Sequence, residues 1–334
     1  MGGWGCALVF HGNGLRSRPF HRVGEGSVRA DDRGGLAMTD EVKAIDCMYY
    51  VATRDFIERW NRAKEGELVC RMERAIGGLP AYDSIEEMIR QMDEAGVERV
   101  FIAQCKMWSY WRKWMYMDTQ LEEVLQYTQR YPDRFVGLAG YNPYRITESL
   151  REIEIAVKQY GFKGVYVHIY GFDIPLHDRK MYPLYAKCVE LDVPVSLQVG
   201  HVLEAMPSEC GRPIYLDRIA CDFPELKIIG AHTGWPWVEE LISVCYKWEN
   251  VWLGIDAWMP KYLSPAIIQF INSRLGQDRC LWGTNGLPWK ENLRQLNELG
   301  LKPEAKRKLL RENAVKLFKL EEASTAHAGE RGER

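Results

Sequence analysis

The 334-residue chain is short of several things, and each shortage removes a class of function. It has no excess of either charge: 44 Lys and Arg stand against 46 Asp and Glu, for a formal net charge of −2. That balance gives no electrostatic footprint for nucleic acid or an anionic membrane. No apolar run approaches the roughly 18 residues that span a bilayer. The nine cysteines include no CxxC pair, and their odd number argues against a disulfide framework, so a reducing cytoplasm is expected. No strand signal is followed by a Gly-rich phosphate loop, which removes the usual reading of a doubly wound nucleotide binder.

What is present is a repeat. Short β-branched or apolar runs recur at "KAIDCMYYVA", "VERVFIAQC", "RFVGLAGYN", "FKGVYVHIY", "VPVSLQVGH", "LKIIGAHTG", "NVWLGIDAW" and "RCLWGTNG". Stretches with helical spacing separate them, among them "SIEEMIRQMDEAG", "MYPLYAKCVELD" and "IYLDRIACDFPE". This alternation predicts an α/β fold, a single (β/α)8 TIM barrel over residues 38–320. Residues 1–37, rich in Gly and Arg and without a period, read as a disordered or upstream extension ahead of Met38. Residues 321–334 read as a disordered tail.

Barrel enzymes place their chemistry at the C-terminal ends of the strands. Those ends supply Met48, Tyr50, Lys106, His168, Gln198, His201, His232, Asp256 and Asn285, and Trp235 lies just beyond one of them. Singly, each reads as a mouth-lining group bonded to a loop; as a set they predict a ligand pocket. "KMWSYWRKWMYM", residues 106–117, interleaves aromatics with cations. Given the charge balance it predicts a lid or a dimer contact rather than a nucleic-acid surface.

The order and spacing of "YPDRFVGLAGYNPY", "GFKGVYVHIYG", "MYPLYAKCVELDVPV", "FPELKIIGAHTGWPW", "CLWGTNGLPW" and "RENAVKLF" resemble the amidohydrolase-related barrels. The likeness is to the branch of aminocarboxymuconate-semialdehyde and resorcylate-type decarboxylases, over about residues 44–320. That resemblance implies a small-molecule substrate, often a dimer, and usually one divalent metal. The ligands would be two histidines of an Asp-x-His-x-His strand, a fifth-strand His and an eighth-strand Asp. Here those four positions hold Met48, Tyr50, Gln198 and Asn285, while Asp46 and the sixth-strand His232 are retained.

Transition metals favour imidazole, thiolate or carboxylate, and the replacements offer a thioether, a phenol and two neutral amides. No metal or other cofactor is therefore expected; a site rebuilt from His168, His201 and His232 is the less favoured alternative. His232 is the expected general acid/base. Tyr50, Gln198 and Asn285 are the expected donors to an oxyanion or carboxylate, with Tyr50 and Asn285 counted as catalytic. Lys106 and His168 would meet substrate charge, and Met48, His201, Trp235 and Asp256 would complete the binding surface. A hydrolase or carboxy-lyase acting on a small carboxylated or carbonyl-bearing ring or unsaturated compound is the first reading. A catalytically silent barrel that binds a ligand or supports a partner is the second.

Overall fold

The computed structural model describes residues 42–62 and 80–321. The expectations for residues 1–37 and for the tail beyond residue 321 lie outside the described residues. Ten strands are described: β1 (Ala44–Tyr50), β2 (Val97–Ala103), β3 (Lys106–Trp108), β4 (Met115–Asp118), β5 (Phe135–Gly140), β6 (Gly164–Val167), β7 (Val195–Gln198), β8 (Ile228–Ala231), β9 (Val251–Gly254) and β10 (Cys280–Leu281). Eight of them form one parallel sheet in the order β1-β2-β5-β6-β7-β8-β9-β10. Each lies within one of the eight strand signals read from the sequence.

Two backbone hydrogen bonds bring the sheet round on itself. Cys47 N–H donates to the Trp282 carbonyl at 3.1 Å, and Asn285 N–H donates to the Met48 carbonyl at 2.8 Å. The result is the (β/α)8 barrel that the alternation predicts. The strands are buried along nearly their whole length, as both-face burial in a parallel barrel requires.

The helical stretches form where the spacing places them. Ser84 caps helix Ile85–Ala95 by accepting from Glu87 N–H at 3.1 Å, and Gly96 ends it in a left-handed turn at φ 75°. Met88 and Met92, four residues apart, bury the inner face of that helix. Near the chain end, residues 308–312 widen into a π-helical turn, and the Leu309 carbonyl there accepts Trp282 N–H at 3.1 Å. That bond ties the last helical segment to the mouth of β10.

Strict alternation along β1 does not hold. Asp46 pairs with Val100 but Tyr49 with Ile102, so three residues of β1 match two of β2. The extra residue is a β-bulge, and it breaks the simple division into an Asp46–Met48–Tyr50 face and a Cys47–Tyr49–Val51 face. The aromatic segment after β2 folds as an antiparallel hairpin of β3 and β4, with Lys106 opposite Asp118. Trp108 packs edge-on to Tyr144 and stacks on Phe172, at ring separations of 5.1 and 5.7 Å. At the hairpin tip, the Trp111 indole N–H donates to the carbonyl of Ala205 in the loop after β7.

Candidate active site

The centre of the mouth is assembled from neighbouring strands. Gln198 at the end of β7 lies in register with Ala231, the residue before His232. His232 follows β8, Asp256 follows β9, and the Gly283–Gly286 turn follows β10. Backbone bonding then returns the arc to Met48 on β1.

His232 and Asp256 form a close pair in this arc. The imidazole Nδ1 lies 2.5 Å from Asp256 Oδ2, and His232 N–H donates to Oδ1 at 3.1 Å. One carboxylate thus fixes both the ring and the backbone of the same residue. Burial alone would raise the Asp256 carboxyl, but the His232 imidazole, by charge and hydrogen bond, holds it below the usual carboxylate range. The bonding pattern assigns the Nδ1 proton to the Asp256 side, which leaves Nε2 with no hydrogen bond among the described residues.

The backbone here is strained. His232, Thr233 and Gly234 run at φ 67°, 62° and 72°, and Ala257 and Asn285 also lie in the left-handed region at 66° and 53°. Each non-glycine residue held there costs on the order of 1–3 kcal/mol, and such residues cluster at functional sites. Three adjacent strand ends share this conformation.

Asp46 is retained for support rather than contact with a ligand. Its fully buried carboxylate accepts Met48 N–H at 3.1 Å, Thr284 N–H at 3.0 Å, the Thr284 hydroxyl, and the Trp289 indole at 2.7 Å. Burial pushes it up to about 6 despite these donors. It fastens the β10 turn to β1.

The four positions where the resemblance places metal ligands can now be tested one by one. Met48 is buried. Tyr50 is buried with no hydrogen-bond partner for its hydroxyl, stacks on Phe56 at 5.3 Å and meets Trp60 edge-on at 5.4 Å. A β-carbon on Gly286 would sit 2.0 Å from that hydroxyl, so the turn needs glycine both for space and for its φ of 87°. The Gln198 carbonyl accepts the Tyr166 hydroxyl at 2.9 Å. Asn285 is half-buried in the turn after β10. None of the four is an imidazole, thiolate or carboxylate. Among the described residues no three His, Cys, Asp or Glu side chains converge on one point. The donor set does not fit a divalent transition metal.

The remaining candidates divide. His168 is buried at the end of β6, with Nε2 3.6 Å from Glu204 Oε1 and its ring 5.3 Å from that of Tyr170. Lys106 is engaged elsewhere, 2.8 Å from Asp118 and 3.8 Å from Glu152. The exposed His201 bonds through Nδ1 to the Ser208 hydroxyl at 2.9 Å and meets Trp235 edge-on at 5.7 Å, so it does not join His168 and His232 in a ligand set. Trp235 is 43% exposed and packs against Trp258 at 5.3 Å, an aromatic rim. Sequence reading missed Glu204. Its loop, "HVLEAMPSECG", carries no period that would single it out.

A family model, that of the amidohydrolases (Amidohydro_2), matches residues 106–320. The chain belongs to the amidohydrolase family. Among solved structures, an uncharacterised TIM-barrel protein from Bordetella bronchiseptica is 26% identical to this amidohydrolase-family chain. Its TM-score is 0.66, over 83% of this chain and 98% of that one. A 5-carboxyvanillate decarboxylase from Novosphingobium aromaticivorans, complexed with manganese and 4-hydroxy-3-methoxy-5-nitrobenzoic acid, matches at 19% identity and TM-score 0.60. That match covers 85% of this chain and all (100%) of the other. A 2,6-dihydroxybenzoate decarboxylase from Rhizobium matches at 15% identity and TM-score 0.61, over 84% and 99%. The last two share the barrel with this amidohydrolase-family protein. Family membership supports an enzyme of the hydrolase or decarboxylase kind.

Proposed function

We propose that this barrel is a metal-independent hydrolase or carboxy-lyase in which the His232–Asp256 couple moves the proton. The observation that carries the reading is the double grip of one buried carboxylate on His232, at Nδ1 and at the backbone N–H. Asp256 holds the tautomer and stabilises the imidazolium once a proton arrives, while Nε2 is left as the working atom. In hydrolysis, Nε2 takes a proton from the water that attacks a carbonyl and returns it to the leaving group. In decarboxylation, Nε2–H protonates the carbon whose bond to the departing carboxylate breaks.

Gln198 and Asn285 flank this couple in the arc, where their amides suit a developing oxyanion or a carboxylate, and Tyr50 lies beneath the Gly286 turn. The Trp235–Trp258 rim and Met48 offer flat and soft surface for a small aromatic or unsaturated compound. Lys106, already ion-paired, is assigned to support rather than to substrate.

The experiment is a turnover screen with small carboxylated and carbonyl-bearing aromatic compounds, with and without EDTA. Turnover should survive the chelator and fall by about 10²–10⁴-fold in His232→Gln. Turnover abolished by EDTA would overturn the metal-free part. Ligand binding by a parent that turns over nothing would leave the silent-barrel reading in its place.

We also infer a cytoplasmic homodimer. All seven cysteines among the described residues are free thiols, and no helix there is long and apolar enough to cross a membrane. The dimer rests on the family resemblance, and light scattering on the purified protein tests it.

A further inference from the structure

Glu204 lies on the loop after β7, yet its charge reaches groups on many sides of the barrel. Burial is the main cause that keeps Cys105, Tyr166 and Tyr170 from ionising, and the Glu204 carboxylate adds to it in all three. Those residues stand at the ends of β2 and β6. His232, beyond β8, acts on Glu204 in turn. The Glu204 carboxylate is thus within electrostatic reach of groups at the ends of β2, β6 and β8, and its Oε1 lies 3.6 Å from His168 Nε2. The Trp111 indole bonded to Ala205, the next residue, holds it there from the hairpin.

This carboxylate is nine-tenths buried. Burial pushes it up, but His168, together with its own backbone N–H and His232, holds it below the usual range, so it stays ionised. Its side-chain partner is His168 Nε2 at 3.6 Å, too long for a hydrogen bond. The Nδ1 of the buried His168 ring is also without a partner. His168 follows Tyr166 by two residues and so shares its face of the sheet, the face on which the Tyr166 hydroxyl meets Gln198. An ionised oxygen pair and an underused imidazole therefore stand together beyond β6, where the charge of His232 also acts on the carboxylate. A largely buried carboxylate whose side-chain partner stands as far as 3.6 Å favours a ligand that brings a closer donor.

We infer that Glu204 is a specificity-determining residue: it accepts a hydrogen bond from a hydroxyl or amino group on the substrate, with His168 alongside. This deepens the proposed reaction and rests on placing the site at this mouth. It gives the substrate two ends, a reacting carbonyl or carboxyl toward His232 and a donor toward Glu204. A carboxylate placed against Glu204 would be repelled.

Ligand-detected NMR titration with phenol and toluene tests this without turnover, since the two rings have nearly the same shape and only phenol carries a donor. Wild-type protein should bind phenol at least about tenfold more tightly than toluene, the scale of one hydrogen bond to a charged group. Glu204→Gln should keep its melting temperature within a few degrees and lose most of that preference; Glu204→Asp should keep part of it. Equal affinity for the two rings in the wild type, no binding of either, or an unchanged preference in Glu204→Gln would overturn the assignment. His232→Gln should leave the phenol preference intact. A failed chemical role for His232 therefore remains distinguishable from a failed role for Glu204.

Discussion

The backbone N–H of Asn285 donates to the carbonyl of Met48 at 2.8 Å, so two positions where the resemblance expects metal ligands are joined directly through their main chains. The main chain still joins these two positions, and the side chains they carry are different. Metal content is accordingly the cheapest measurement. Purified protein should carry well under one equivalent of zinc, manganese or iron by mass spectrometry, and EDTA should leave its melting temperature unchanged. The combined variant Met48→His, Tyr50→His, Gln198→His and Asn285→Asp should acquire near-stoichiometric metal, with some loss of stability where Tyr50 leaves its pocket against Phe56 and Trp60.

Tyr50→Phe separates stability from chemistry. The Tyr50 hydroxyl is buried and unpartnered, and removing such a group relieves a desolvation penalty of about 1–3 kcal/mol. Thermal or urea unfolding should show the variant as stable as the parent or more so. If the hydroxyl meets an oxyanion during the reaction, turnover falls in the same variant; undiminished turnover would confine Tyr50 to packing.

Asp256→Asn should reduce turnover by about 10²–10⁴-fold, because an amide N–H₂ facing Nδ1 forces the other imidazole tautomer. The pH dependence has a defined sign. Asp256 titrates below its ordinary value in the folded protein, so its contribution to stability is present above the unfolded carboxylate pKa and is lost as pH falls through the folded value. The acid limb of the melting-temperature profile should be shallower in Asp256→Asn.

Asp46 predicts the opposite slope. Burial raises it from 3.8 to about 6, so the folded protein holds that proton more firmly than the unfolded chain does. The associated stability, about 3 kcal/mol, is fully present below pH 4 and is lost as pH rises through 6. Asp46→Asn should flatten this stretch of the profile. It should also lower stability throughout, since an amide cannot accept from Thr284 and Trp289 on both sides. A parent profile without a decline between pH 4 and 6 would contradict the raised value.

Much of the architecture was legible because period and punctuation act locally. Ser84 and Gly96 bracket a helix whose burial face is spaced at four residues, and each strand signal is a short buried run between polar loops. His232 and Asp256 were each legible as strand-end groups. Their pairing was not, because it depends on how two neighbouring loops adopt positive φ. The β1 bulge was hidden for a related reason: an extra residue is defined only against the partner strand. Lys106 looked available because Asp118 faces it only once the hairpin forms. Glu204 escaped because loop chemistry has no period, and its loop is fixed by tertiary bonds such as Trp111 to Ala205.

The Asp46 carboxylate has a consequence for how the molecule is made. Three of its four donors belong to Thr284 and Trp289, more than two hundred residues further along the chain. During synthesis β1 emerges first and waits with a buried-type carboxylate still in water. Until residue 289 has left the ribosome the barrel is an open fan with two exposed strand edges, β1 on one side and the growing strand on the other. Chains that stop before Thr284 lack these donors and the Asn285–Met48 bond, and they should be recovered as aggregates or bound to chaperones rather than as closed barrels.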